Sequence, residues 1–208
     1  MPLPTNPGET LVHTEDEAKF VGHGGRWRKR PGTYLTYADS TTVVNTVTVN
    51  AVEHDDACTR LRAHIGFKMA TDGRFGFTVE KNGNTWLDPT SSGSFNEVVG
   101  NLSKGDGSWR HKDWKSIHAP YTDGLWITWP TDEWRAKSGI HGFARIDIQT
   151  GTDAWSLFQW ELNYRNVGGT SCRTCGMGWL NAKPNNITKF RLRTDGFFKH
   201  LGATVETS

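Results

Sequence analysis

Four carboxylic acids lie near tryptophans in this chain: Asp132 and Glu133 beside Trp134, then Asp147, and Glu161 in the stretch that opens on Trp155. Glycoside hydrolysis needs little more than two such groups about 5 to 9.5 Å apart, one to protonate the leaving oxygen and one to attack or to activate water. Any β-rich chain with 22 acidic residues offers such pairs by chance. Residue type alone therefore does not make a hydrolase. The text holds no GxSxG, HExxH, P-loop or GxGxxG pattern.

Cys172 and Cys175 form a CxxC in SCRTCGMGW, and Cys58 is distant. A structural zinc site needs four ligands, and neither a second CxxC nor a His pair follows. Thioredoxin-like chemistry places the motif at the start of a helix, whereas Gly176 and Gly178 follow here as turn signals. The expectation is loop thiols without function. Cys172 and Cys175 are the residues a metal would have to use, a disulfide is the remaining alternative, and no cofactor is expected. Glu53-His54-Asp55-Asp56 mixes imidazole with acids, but consecutive strand residues point in alternating directions and cannot converge on one ion, so a surface turn is expected.

Arg26, Trp27, Arg28, Lys29 and Arg30 make the one dense basic run. Cations around a stacking ring can hold phosphates. Against that, Pro31-Gly32 marks a linker, and a net charge of +2 leaves only a modest, salt-sensitive attraction. The run is a candidate partner contact, and nucleic acid is not the expected partner. Ten Trp give a further chemistry, because indole fills cores and also offers an apolar plate to sugar rings. Most are expected inside; Trp109, Trp114 and Trp126 are the candidates for an exposed, ligand-binding position.

These residues need elements to position them, and the composition points to strands. Hydrophobic residues are 35% and Gly is 23 of 208, which suits short strands and many turns. The chain can bury roughly 70% of its unfolded surface without a metal or a disulfide. Residues 1–32 are polar and rich in Pro and Gly, so they are expected to form an extended N-terminal arm, with one short helix from Thr14 to Val21. Residues 33–208 are expected to form a single all-β domain, an antiparallel β-sandwich or jelly-roll. In Leu61–Val79, polar and apolar residues alternate on both sides of Asp72-Gly73, the signature of a β-hairpin. A second turn is expected at Lys81-Asn82-Gly83-Asn84. The text from Thr33 to Val52 reads as strand, a short strand is expected around Phe95–Val99, and Leu125–Trp129 reads as a strand ended by Pro130. Residues 141–164 read as a hairpin whose buried parity is Ser156, Phe158, Trp160, Leu162 and Tyr164; Ile187–Arg193 reads as the first arm of a last hairpin turning at Asp195-Gly196.

The order of these features resembles a β-sandwich module of uncharacterised tail and tail-fibre proteins of tailed bacteriophages. The resemblance covers about residues 60–165: GFKMATDGRFGFTVEKNG, Trp86, FNEVV, a glycine-rich spacer with Trp109, Trp134 ahead of GFARIDIQ, and TGTDAWSLFQWELNY. It implies a non-enzymatic virion component in a tail, fibre or decoration role, synthesised in the host cytoplasm, that oligomerises with itself and contacts other virion proteins or a host-surface glycan. The excess of Trp and the CxxC depart from the pattern. A lectin-like carbohydrate-binding module or a glycan-active hydrolase is the alternative. The text holds neither a secretory leader nor an apolar run of membrane-spanning length, so no membrane partner is expected.

Overall fold

The computed structural model describes residues 10–13, 18–23, 26–29, 34–38, 43–50, 58–88, 93–105, 107, 109–113, 125–128, 134–151 and 154–207. In chain order the strands are β1 (Thr10–His13), β2 (Ala18–His23), β3 (Arg26–Lys29), β4 (Tyr34–Ala38), β5 (Val44–Asn50), β6 (Arg60–Met69), β7 (Phe75–Lys81), β8 (Thr85–Trp86), β9 (Phe95–Lys104), β10 (Trp109–Asp113), β11 (Leu125–Trp126), β12 (His141–Thr150), β13 (Ser156–Arg165), β14 (Ser171–Leu180) and β15 (Ile187–Thr207). β1, β2 and β3 form a small antiparallel sheet. The other twelve form one large sheet along the path β10-β9-β14-β13-β12-β6-β15-β7-β11, with β4 and β5 on β15 and β8 on β7. Among the described residues, no helix is long and apolar enough to cross a membrane.

The sheet is all-β and antiparallel, and it curls over itself into a sandwich. Laid flat, β7 and β13 would be four strand spacings apart, about 19 Å. Yet Phe77 of β7 and Phe158 of β13 hold their ring centroids 6.0 Å apart. Phe158 also meets Phe95 of β9 at 5.6 Å, and Phe75 of β7 stacks on Phe67 of β6 at 5.0 Å with Phe198 of β15 against both. Each of these buried rings contributes about 1.5–3 kcal/mol by leaving water. β15 serves both layers: residues from Ile187 to Thr194 pair with β7, and residues from Phe198 to Thr207 pair with β6, with register slips where one half gives way to the other.

Alternation dictates the two long strands of the core as expected. In β6, Leu61, Ala63, Ile65, Phe67 and Met69 are buried, and in β13 the buried parity runs from Ser156 to Tyr164. β12 and β13 form the expected hairpin, in register from Phe143↔Asn163 to Thr150↔Ser156. The Tyr164 hydroxyl, buried and pushed well above its ordinary range by that burial, donates to the Trp134 carbonyl at 2.7 Å. The turn at residues 81–84 also forms, with Asn82 and Gly83 at positive φ of 56° and 75°.

Several local readings are corrected. Asp72-Gly73 does not turn a hairpin, because β15 lies between β6 and β7. Asp195-Gly196 does not turn one either; β15 runs through it. The two dipeptides meet instead. The Arg74 amide and guanidinium both donate to Asp195, at 2.6 and 2.8 Å, and a Cβ on Gly196 would lie 2.6 Å from the Asp72 carbonyl oxygen. Glycine is used there for close backbone approach and not for a tight turn. Ala18–Val21, expected within a short helix, belongs to strand β2. The stretch read as strand from Thr33 to Val52 is two strands, β4 and β5, both on β15. The short strand near Phe95 is the ten-residue β9, in which Glu97 adopts φ of 49° and shifts the buried parity from Phe95 to Val98 and Leu102. Glu53-His54-Asp55-Asp56 lies outside the described residues.

Candidate functional site

The sequence-derived candidates scatter. Arg26, Trp27, Arg28 and Lys29 lie on β3, and Arg30 is outside the described residues. Trp109 is in register with Ser103 on the β10–β9 pair, whereas Trp114, Asp132 and Glu133 lie outside the described residues. Trp126 is 3% exposed, contrary to the expectation of an open ring. It sinks because Gly76 of β7 leaves its space bare: a Cβ there would sit 3.0 Å from the indole and 3.0 Å from the Leu125 carbonyl. The Arg74 guanidinium closes over the ring at 5.0 Å.

The CxxC sits in strand β14 and not in a loop. Residues three apart on a strand face opposite sides. Cys172 pairs with Tyr164 on the buried parity, and Cys175 pairs with Glu161 on the outer one, so one ion cannot join them. None of the three cysteines is in a disulfide, and among the described residues no group of three or more potential ligands is clustered for a metal.

Asp147 and Glu161, by contrast, come to one place: the outer face of the sheet where β6, β12, β13, β14 and β9 run side by side. Antiparallel register builds that face in rungs. One rung reads Val99, Met177, Gln159, Asp147, Arg62; the next reads Asn101, Cys175, Glu161, Arg145, His64; the third reads Ser103, Arg173, Asn163, Phe143, Gly66. A depression of about 170 Å³ opens in it, lined by Arg145, Asp147, Gln159, Trp160, Glu161 and Cys175.

Asp147 anchors the depression. Its side chain is 7% exposed and accepts from Arg60 Nε at 2.7 Å and Nη2 at 2.5 Å, from Arg62 Nε at 3.2 Å and from Arg145 Nη2 at 3.3 Å. The four contacts fall unevenly, one on Oδ1 and three on Oδ2. Burial alone would raise its pKa; the hydrogen bonds and charges of Arg60 and Arg62 outweigh that and hold the carboxyl below its ordinary value. Glu161 accepts from Asn163 at 3.0 Å and forms an ion pair with Arg173 at 3.1 Å. Away from this face, Glu80 is buried in β7 and is likewise pushed down, chiefly by the Lys189 ammonium at 2.9 Å, against its burial.

Chemically, this arrangement is suited to recognition. A glycosidase acid must carry a proton near neutral pH, which requires a raised pKa; the carboxyl of Asp147 is held below its ordinary value instead. The wall of the depression carries one guanidinium, Arg145, and two carboxylates, Asp147 and Glu161, while Arg60 and Arg62 reach Asp147 from β6. Sequence reasoning missed Arg60, Arg62 and Arg145, and the Phe143 ring of the same strand as Arg145 is 44% exposed on the outer face. The parity of HGFARIDIQ carried the signal, since Phe143, Arg145 and Asp147 share one side while Ala144, Ile146 and Ile148 are buried on the other.

No protein-family model matches the chain, and no curated protein matches it. Among solved structures the chain is similar to the marine PL-14 alginate lyase from Aplysia kurodai, with a TM-score of 0.29 and 10% identity, covering 100% of this chain and 91% of that one. A likeness of that size is not evidence of a shared activity.

Proposed function

We propose that this chain is a non-enzymatic structural component of a bacteriophage virion, a tail, fibre or decoration protein, which assembles with copies of itself and presents the outer face of its large sheet to a partner or to the host surface. The observation that supports a binding role most directly is Asp147: a carboxylate gripped by three arginines and held below its ordinary pKa organises a polar surface and does not carry the proton that a general acid needs near neutral pH. The virion assignment rests on the resemblance of residues 60–165 to the phage tail module.

Two measurements test this. Mass spectrometry of purified particles should find the protein at a stoichiometry of at least one copy per particle; its absence from particles made by a host that expresses it would sink the virion reading. Incubation with acidic and neutral polysaccharides should release no new reducing ends and no unsaturated sugars. Turnover that survives removal of Asp147 and Glu161 would still be turnover, and any of it defeats the non-enzymatic reading.

A further inference from the structure

The net charge of +2 conceals a local imbalance at one end of the outer face. His200 of β15 is in register with Lys68 of β6, and Lys68 with His141 of β12. Arg165, two residues beyond Asn163 on the outward parity of β13, continues the line, with Ser171 of β14 as its register partner. His141, Arg165 and His200 are exposed, and Lys68 is half-buried. Four adjacent strands thus set four basic side chains along about 14 Å. Among the described residues none of the four is paired with a carboxylate. The acids of this face stand off from the row. Glu161 is four residues from Arg165, about 13 Å along the strand, and is tied to Arg173 at 3.1 Å. Asp147 and Glu206 are each six residues from His141 and His200, about 20 Å away. Screening over about 8 Å at physiological salt leaves these three little power to offset the row. Asp72, past the end of β6, accepts from the Ser138 amide at 2.7 Å.

A second depression, of about 420 Å³, opens beside the row. His141, Phe143, Asn163 and Ser171 are in its lining, and no carboxylate is. The Phe143 ring stands 6.3 Å from the His64 ring, tilted by 36°, and keeps 44% of its surface open. Its register partner Gly66 leaves room on β6, where a Cβ would meet nothing within 4 Å. Asn163 donates to Glu161 at 3.0 Å through its amide nitrogen, so its oxygen faces outward needs as an acceptor. An occupant of this place must bring negative charge to the row and a flat apolar group to the ring.

Resting on the surface-binding role proposed above and not on the virion assignment, we propose that the row from His200 to Arg165, with the Phe143 depression beside it, binds single-stranded nucleic acid. Every nucleotide supplies one phosphate and one base, the two groups the site calls for. The phosphates follow the row, where Lys68 and Arg165 give fixed charge and the imidazoles give N–H donors. One base lies against the open part of Phe143, with Asn163 at its edge. A duplex keeps its base faces stacked inside, so the ring selects single strands.

The test is fluorescence anisotropy of a labelled oligothymidylate titrated with the full chain, with duplex DNA, inorganic polyphosphate and polygalacturonate as competitors. Oligothymidylate should bind more tightly than any of the three. On single strands the logarithm of affinity falls with that of salt by about 0.7 per neutralised phosphate, so Lys68→Gln and Arg165→Gln should each flatten the slope by about 0.7. Phe143→Ala should weaken binding about five- to hundredfold, the worth of one stacked base, and Phe143→Tyr should retain it. Polyphosphate has no base, so its affinity should be the same for wild type and Phe143→Ala. Near-ultraviolet circular dichroism should show each variant folded as wild type is. No binding of oligothymidylate, an equal or tighter hold on any competitor, an unchanged slope in either cation variant, unchanged affinity in Phe143→Ala, or loss of binding only when Arg26, Arg28, Lys29 and Arg30 are replaced would overturn the proposal. Particles that contain the protein while it binds no oligonucleotide remove this inference and leave the virion role; binding by a protein absent from particles does the reverse.

Discussion

Asp147 accepts from Arg60 and Arg62 of β6 and from Arg145 of its own strand. Its folded pKa lies below the unfolded value of about 3.9. A depressed carboxyl contributes stability that is fully present above the unfolded pKa and is lost as pH falls through the folded one. Asp147→Asn should therefore cost about 1–3 kcal/mol at pH 7, because three guanidiniums lose the charge that holds them. The same substitution should cost much less near pH 2. Urea unfolding of both proteins at the two pH values measures this, and an equal cost at each would show that the arginines do not depend on the charge. None of these partnerships was legible in advance. Arg60 and Asp147 stand 87 residues apart, and alternation says which face a residue occupies without saying which strand lies next to it.

At the level of elements, the instructive case is the pair of Asp-Gly dipeptides. Each is flanked by alternating strands, and each would turn a hairpin if only local preference operated. What overrides it is β15, whose buried Phe190, Leu192, Phe198, Leu201, Ala203 and Val205 gain more by serving both layers of the sandwich than by folding back in pairs. Gly73 and Gly196 then allow the strand ends to cross: a Cβ on Gly73 would lie 2.8 Å from the Gly196 amide nitrogen. Gly196→Ala should consequently destabilise by about 1–3 kcal/mol through overpacking. Gly83→Ala, at a positive φ of 75° with open space around it, should cost about 1 kcal/mol through backbone strain alone. Chemical denaturation of the two variants decides the matter, and a neutral Gly196→Ala would mean that the crossing is looser than described. The hairpin of β12 and β13 succeeded as a reading because its pairing is local and its period clean, the two strands following one another in the chain.

For the molecule as a whole, a virion component gains avidity from repetition, since symmetric copies turn weak contacts into a strong assembly. Light scattering of the full chain at high micromolar concentration should give a mass that is a multiple of 23.3 kDa; a strict monomer there would count against assembly through self-contact. Composition and period-two patterning by themselves determined the all-β class, the buried parity of β6 and β13 and the polar character of the face opposite, because those properties follow from each strand's own side chains. Only the tertiary structure decided that β15 separates β6 from β7, that Trp126 is sealed under Arg74, that Cys172 and Cys175 face opposite sides, and that Arg60, Arg62 and Arg145 close on Asp147. The physical reason is the range of the interactions. A strand's pattern is set by neighbours in sequence, whereas strand order is set by the cooperative burial of distant rings, and a site built across five strands exists only once that order is chosen.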